Sequence, residues 1–302
     1  MNSSEYHDVL FWCGYDEYIQ ASNAFWEQHG PSDTYTAAKN SWILERVPDR
    51  ATFLARMEDY AQNGGPDPSP VRQTAEDLSD AFACTTKSRG EELCARFAKI
   101  AREGWCSHHL SDYAAAVHKP GAQTVLELAT GAGLGTWAVL NNMPKVSKLL
   151  SMDFDFVCTQ SAIGIVKALG LKSNVVAICA NNWYMPFCDG LFDTVCTHYG
   201  LDETREVPAV LQEVARVLKP GGRFVLVARM NPWDRVGSWF ELFGVSKEES
   251  GDILRKVRLY AGPETLLEDA ALCGLKLTQR KDYMPENGHA RVLMVFQKRS
   301  NS

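Results

Sequence analysis

Three glycines and two carboxylates are the residues of this chain best suited to hold a nucleotide. Val125-Leu126-Glu127-Leu128-Ala129-Thr130 reads as an apolar strand that runs into Gly131, Gly133 and Gly135, where a helix begins. Glycines tolerate positive φ and admit a ligand close to the backbone. The following helix offers unpaired N–H groups and the positive end of its dipole. Glu127, at the end of the strand, is placed to meet a ribose, an amine or a sulfonium. The spacing is G-x-G-x-G, whereas the dinucleotide fingerprint needs its third glycine one residue later, where Thr136 stands. A pyrophosphate ligand is therefore disfavoured.

Further elements follow at suitable distances. Leu149-Leu150-Ser151-Met152-Asp153 is a second apolar strand ending in a carboxylate able to grip both hydroxyls of a ribose. Val175 to Cys179 is a third strand, and it leads into Ala180-Asn181-Asn182-Trp183-Tyr184-Met185-Pro186-Phe187. The Asn181 amide can both donate to and accept from an adenine edge, and Trp183 can flank the base. Phe192-Asp193-Thr194-Val195 opens a fourth strand. Leu211 to Leu218 is a helix, and Lys219-Pro220-Gly221-Gly222 is the turn into a fifth strand at 223 to 228.

As an ordered set over roughly residues 121 to 298, these segments resemble the class I S-adenosylmethionine-dependent methyltransferases. Glu127 to Gly135 is similar to that family's first motif, and Asp153 to its ribose-binding acid. Asn181 to Phe187 resembles its D-A-x-x-L-P-F loop, with Asn in place of Asp. The resemblance implies S-adenosylmethionine as cofactor and S-adenosylhomocysteine as product. Its implied cofactor contacts are Glu127, Ala129, Gly131, Gly133, Asp153, Phe154, Asn181, Asn182, Trp183, His198 and Tyr113.

Methyl transfer from a sulfonium is a displacement at carbon, so alignment of nucleophile, methyl and leaving sulfur is the main requirement. An alcohol, phenol or ammonium acceptor must also lose a proton. His198, followed by Tyr199, leaves the fourth strand at the ligand-binding rim, and this pair is the candidate catalytic set. A histidine satisfied by loop backbone groups is the alternative. Trp105, His109, Asp112 and Tyr113 share one helical face, with His108 adjacent. In the family, the helix before the first strand often covers the cofactor, although an aromatic stripe is also ordinary packing. Arg229 to Trp233 follows the fifth strand and leads into the apolar Val236, Trp239, Phe240, Leu242 and Phe243, which suit a lid or a packing helix.

The whole chain restricts these options. With 302 residues and a net charge of −6, it has ample length for a core and lacks the overall basic balance expected of a nucleic-acid binder. Met1 to Asp8 lacks a basic stretch followed by an apolar one, and no apolar run reaches the ~18 residues of a membrane span. A cytoplasmic location is expected. Nine scattered cysteines form no C-x-x-C pair, so small core residues are expected and no metal site.

The expected architecture is α/β: a doubly wound, mostly parallel seven-stranded sheet with an N-terminal helical extension. Residues 1–120 form a helical cap on the substrate side, broken by the Gly64-Gly65-Pro66 to Pro70 loop, and residues 121–302 form the cofactor-binding core. The class I resemblance implies an antiparallel seventh strand at the sheet edge, and a final hairpin with strands at 275–282 and 290–298 is the natural candidate for it. The resulting expectation is a methyltransferase acting on a small-molecule acceptor, with homo-oligomerisation left open. A non-catalytic S-adenosylmethionine sensor, a protein-directed methyltransferase and an NAD-dependent oxidoreductase are the competing functions.

Overall fold

Runs of Val, Leu, Ile and Phe, bounded by polar turns, build strands that are buried because helices cover them, and a more polar strand completes a sheet of seven. The computed structural model describes residues 45, 49, 51–52, 55, 87–103, 107–121, 123–131, 133–142, 148–153, 156–170, 175–202, 204, 206–231, 246, 260–284 and 290–300. The strands are β1 (Thr124–Leu128), β2 (Lys148–Asp153), β3 (Val175–Cys179), β4 (Phe192–His198), β5 (Leu218–Arg229), β6 (Leu275–Tyr283) and β7 (Arg291–Lys298). The described helices are α1 (Lys87–Glu103), α2 (Ser107–Val117), α3 (Leu134–Asn142), α4 (Phe156–Leu169), α5 (Val207–Val217) and α6 (Pro263–Leu272).

The sheet order is β3-β2-β1-β4-β5-β7-β6. The first five strands are parallel and β7 runs antiparallel to both neighbours. The expected doubly wound, mostly parallel α/β sheet is therefore present. One detail is corrected: the seventh strand is not at the edge. β7 lies between β5 and β6, and β6 takes the edge. Burial explains the order. Val292 to Phe296 of β7 are buried, whereas β6 is mostly polar and largely exposed between Leu275 and Tyr283.

A second difference concerns residues 219–222, expected as a turn before the fifth strand. They belong to β5, whose register against β4 jumps from Phe192↔Leu218 to Thr194↔Arg223. The extra residues form a bulge with Gly221 at φ +73°. Asp193 holds the join by accepting from the Thr124 N–H at 2.9 Å and from Lys219 Nζ at 2.9 Å.

Helices α1 to α4 contact one another as one group, and α5 contacts α6. In α5 the buried residues Val207, Val210, Leu211, Val214 and Val217 recur at helical spacing, so one stripe faces the core. Cys179 and Cys196 are buried core thiols, as expected. The chain divides into two compact units. One comprises Pro70–Asp202, Val207–Asn231 and Gly262–Ser302; the other comprises Met1–Ser69, Glu203–Glu206 and Pro232–Ala261. Every contact described below lies within the first.

Candidate cofactor and acceptor site

The carboxyl ends of β1, β2 and β4 meet at one place on the sheet, where parallel α/β folds bind ligands. The β1–α3 connection there is held in left-handed backbone conformations: Ala129 at φ +52°, Gly131 at +53° and Gly133 at +90°. Gly131 and Gly133 adopt these angles without the Cβ penalty that Ala129 bears. The Gly133 N–H donates to the Thr130 carbonyl at 2.9 Å, and the Trp137 N–H to the Gly133 carbonyl at 2.9 Å, which starts α3.

Two buried carboxylates frame this loop. Asp153 ends β2 and its Oδ2 accepts the Gly131 N–H at 2.8 Å. Glu127, in β1, is 1% exposed; its Oε2 accepts from Thr136 Oγ at 2.6 Å and from Ser151 Oγ at 2.9 Å. The Ser151 hydroxyl is 2.6 Å from that of Thr130. Burial is the largest influence on Glu127 and, with Asp153 nearby, lifts its pKa to about 7 against the opposing pull of the two hydroxyl donors.

On the next loop, Asn181 Oδ1 accepts the Trp183 N–H at 2.8 Å and the Asn181 carbonyl accepts the Tyr184 N–H at 3.2 Å. Asn181 thus shapes its own turn. Asn182 Oδ1 is buried and has no hydrogen-bond partner among the described residues. Residues 185–189 are fastened from α5. Glu213 accepts the Met185 N–H at 2.8 Å, and Arg216 donates to the carbonyls of Met185 and Phe187 at 3.0 and 2.6 Å.

At the end of β4 stands a group of aromatic and charged side chains. The His198 ring is stacked on His109 of α2, with centroids 5.5 Å apart and planes 13° apart, and lies 5.3 Å from the Tyr113 ring. His198 Nε2 is buried and lacks a hydrogen-bond partner among the described residues. Burial, then His109, Arg229 and Arg291, hold its pKa well below the ordinary imidazole value. Tyr199, at φ +66°, places its hydroxyl 3.1 Å from His109 Nε2, and burial pushes its pKa up. The Arg229 guanidinium lies over the Tyr199 ring at 4.9 Å and donates to Asp202 at 2.5 Å.

The structure therefore brings Glu127, Ala129, Gly131, Gly133 and Asp153 together around one loop, and His198, Tyr199 and Tyr113 around another centre. Gly135 joins the two, because a Cβ there would lie 2.8 Å from Glu127 Oε1 and 3.0 Å from His198 Cβ. Tyr113 is fully buried and packs in the core with Val125 and Val139. Asp112 faces away from this pair, towards Lys281 and Tyr283. Phe154, Trp105 and the apolar run Val236 to Phe243 lie outside the described residues, as does the side chain of His108. No cluster of metal-ligating side chains occurs among the described residues.

Several participants had not been picked out from the sequence. Thr136 and Ser151 carry a weak signal, as hydroxyls within apolar segments. Asp202, Tyr283 and Arg291 carry none, because only the assembled sheet brings them near His109 and Tyr199.

The strand order, the glycine loop and the carboxylates ending β1 and β2 decide the fold family. The core has the class I S-adenosylmethionine-dependent methyltransferase fold. Residues 105–235 match the ubiE/COQ5 methyltransferase family. A demethylmenaquinone methyltransferase of Lactococcus lactis is 33% identical over 112 residues, covering 36% of this chain and 43% of the relative. The ubiquinone/menaquinone biosynthesis C-methyltransferase of Salmonella arizonae is 31% identical over 110 residues, covering 36% and 44%. The chain thus spans less than half the length of these relatives. Among solved structures, a geranyl diphosphate methyltransferase in complex with S-adenosylmethionine superposes with a TM-score of 0.51 at 16% identity, covering 68% of this chain and 90% of that one. The geranyl diphosphate C-methyltransferase of Streptomyces coelicolor, in complex with S-adenosylhomocysteine, gives 0.50 at 15% identity, covering 64% and 76%. Among the described residues, no helix is long and apolar enough to cross a membrane.

Proposed function

We propose that this chain is an S-adenosylmethionine-dependent methyltransferase that acts on a small-molecule acceptor and releases S-adenosylhomocysteine. The observation that carries the proposal is the glycine loop between two buried carboxylates, Glu127 and Asp153, at the ends of neighbouring parallel strands. When bound, S-adenosylmethionine supplies a methyl group on a positively charged sulfur, and buried carboxylates favour such a cation. The donor set fits. Gly131 and Gly133 leave the loop backbone accessible, with no neighbour within 4 Å of a Cβ at Gly131. Ala129 contributes backbone, and Asp153 takes the ribose side. Asn181 shapes the adenine loop, Asn182 Oδ1 is a buried acceptor in need of a donor such as an amino group, and Trp183 flanks the base.

His198 is the proton acceptor in this mechanism. Its depressed pKa keeps the imidazole neutral at neutral pH, and the unpartnered Nε2 is able to accept. Tyr113 closes the wall beside it. In this reading the cofactor-binding core comprises residues 121–302. The names of the relatives favour an acceptor of quinone type.

Calorimetric titration with S-adenosylmethionine, S-adenosylhomocysteine and NAD tests the class. Binding of the first two in the micromolar range, with no NAD binding, is expected; preferential NAD binding overturns it. Transfer of labelled methyl from S-adenosylmethionine to a demethylated quinol or another small aromatic acceptor then tests the activity. Tight cofactor binding without transfer to any acceptor identifies a sensor instead.

A further inference from the structure

We infer that His109, held in place by the Tyr199 hydroxyl, is the positioning residue that orients His198 and limits its protonation. This inference rests on His198 being the proton acceptor of the proposed methyl transfer. His109 belongs to α2, outside the strand-and-loop elements that carry the glycine motif, yet it is only 2% exposed. Its ring lies beside that of His198 and nearly parallel to it, with centroids 5.5 Å apart and planes 13° apart. A ring stacked in this way restricts rotation of its neighbour and so fixes where Nε2 points.

His109 is itself fixed from two sides. Tyr199 Oη lies 3.1 Å from Nε2, and the Tyr283 ring meets the imidazole edge-on at 5.8 Å. Tyr283 is anchored in turn, because its hydroxyl donates to Asp112 at 2.5 Å. The Tyr199 backbone is in the left-handed region at φ +66°, a costly conformation for an aromatic residue. The conformation persists because the Tyr199 N–H donates to the Val227 carbonyl at 2.9 Å and Arg229, tied to Asp202, covers the ring. The strain therefore delivers the Tyr199 hydroxyl to His109. When the Tyr199 hydroxyl donates to Nε2, His109 is neutral with its hydrogen on Nδ1.

Electrostatics adds a second effect. Two stacked imidazoles resist carrying two protons at once, so each lowers the other's affinity for one. The groups facing His198 are His109 and Tyr113 from α2, Tyr199 from its own loop, Arg229 from β5 and Arg291 from β7. Glu127 of β1 lies across Gly135 from it. Two guanidinium groups already oppose an imidazolium here. His109 adds to them through its ring contact and fixes orientation as well.

The test follows the histidine ring signals of the full chain by NMR against pH in the wild type, His109→Gln and Tyr199→Phe, alongside pH profiles of kcat/KM. In His109→Gln the His198 titration midpoint and the acid limb of kcat/KM are expected to rise together by roughly half a pH unit or more. Tyr199→Phe keeps the ring and the cation–π contact; it is expected to lower kcat about tenfold with little change in KM. Unmoved His198 signals and an unmoved acid limb in His109→Gln overturn the inference, even if activity falls at every pH. His198→Gln separates the two ideas. Loss of kcat of about 100-fold or more supports the proton acceptor, whereas full activity removes that role and the inference with it.

Discussion

The backbone N–H of Gly131 donates to Asp153 Oδ2 at 2.8 Å, so the acid that ends β2 also shapes the loop that ends β1. If Asp153 binds the ribose as proposed, ligand binding and loop geometry are coupled through one carboxylate. Asp153→Ala removes both the charge and the acceptor, leaving the Gly131 N–H without its partner. The dissociation constant for S-adenosylhomocysteine is expected to rise by roughly 10- to 100-fold. Asp153→Asn keeps an oxygen for Gly131 and loses only charge, so its loss is expected to be smaller. Calorimetric titration of both variants checks the order.

Glu127 makes folding stability fall as pH rises. Its native pKa, about 7, lies above the ordinary 4.5, so between these values the folded chain holds a proton that the unfolded chain has released. The native form is favoured below about pH 4.5 by this group, and the advantage is lost as pH climbs through 7. The effect is on the order of 3 kcal/mol at full titration. Glu127→Gln keeps an oxygen for Thr136 and Ser151 and cannot ionise. Its urea midpoint is expected to change less than the wild type between pH 5.5 and 8.5, with the variant relatively more stable at the alkaline end. Its affinity for the cationic cofactor is expected to fall. A wild-type midpoint as flat as the variant's contradicts this account of Glu127.

The parallel strands were legible because burial on both faces selects unbroken apolar runs. β1, expected at 124–128, occupies Thr124–Leu128. The position of β7 was less accessible: sequence alternation reveals a hairpin but not which of its strands joins β5. Its burial from Val292 to Phe296 reflects neighbours on both sides, a tertiary fact. The Lys219 to Gly222 segment has turn chemistry and does bend, but the bend is a bulge inside a strand. At the site, Glu127, Asp153 and His198 were legible from their places at strand ends. Their partners were not, because Thr136, Ser151, His109 and Arg291 reach them through packing between elements.

Asp202 is the buried half of an ion pair with Arg229, with side-chain exposures of 1% and 19%. Asp202→Asn removes the charge facing the guanidinium while leaving a similar volume. Breaking such a pair on one side costs about 3–5 kcal/mol. Unfolding in urea is expected to show a loss of this size. Because Arg229 covers the Tyr199 ring, fluorescence or NMR reporting on Tyr199 is expected to change in the folded variant as well. A variant as stable as the wild type, with unchanged Tyr199 signals, refutes the bracing role of this pair.

Gly135 tests how closely the first turn of α3 must approach the sheet. An added Cβ would lie 2.8 Å from Glu127 Oε1 and 3.0 Å from His198 Cβ, both closer than ordinary contact. Helix propensity alone predicts the opposite outcome, since Ala is favoured over Gly inside a helix by about 1 kcal/mol. Here the carboxylate is confined by the Thr136 and Ser151 hydroxyls, and the His198 Cβ is attached to a buried strand, so neither yields cheaply. Overpacking of this kind costs about 1–3 kcal/mol, which exceeds the propensity gain. Gly135→Ala is therefore expected to be net destabilising in urea and to weaken cofactor binding, because Glu127 must shift. Gly170→Ala supplies the contrast, having no neighbour within 4 Å but a φ of +69°. Its loss is expected to come from backbone conformation, with cofactor affinity unchanged. A stabilised Gly135→Ala would mean that α3 is free to move away from β1 and β4.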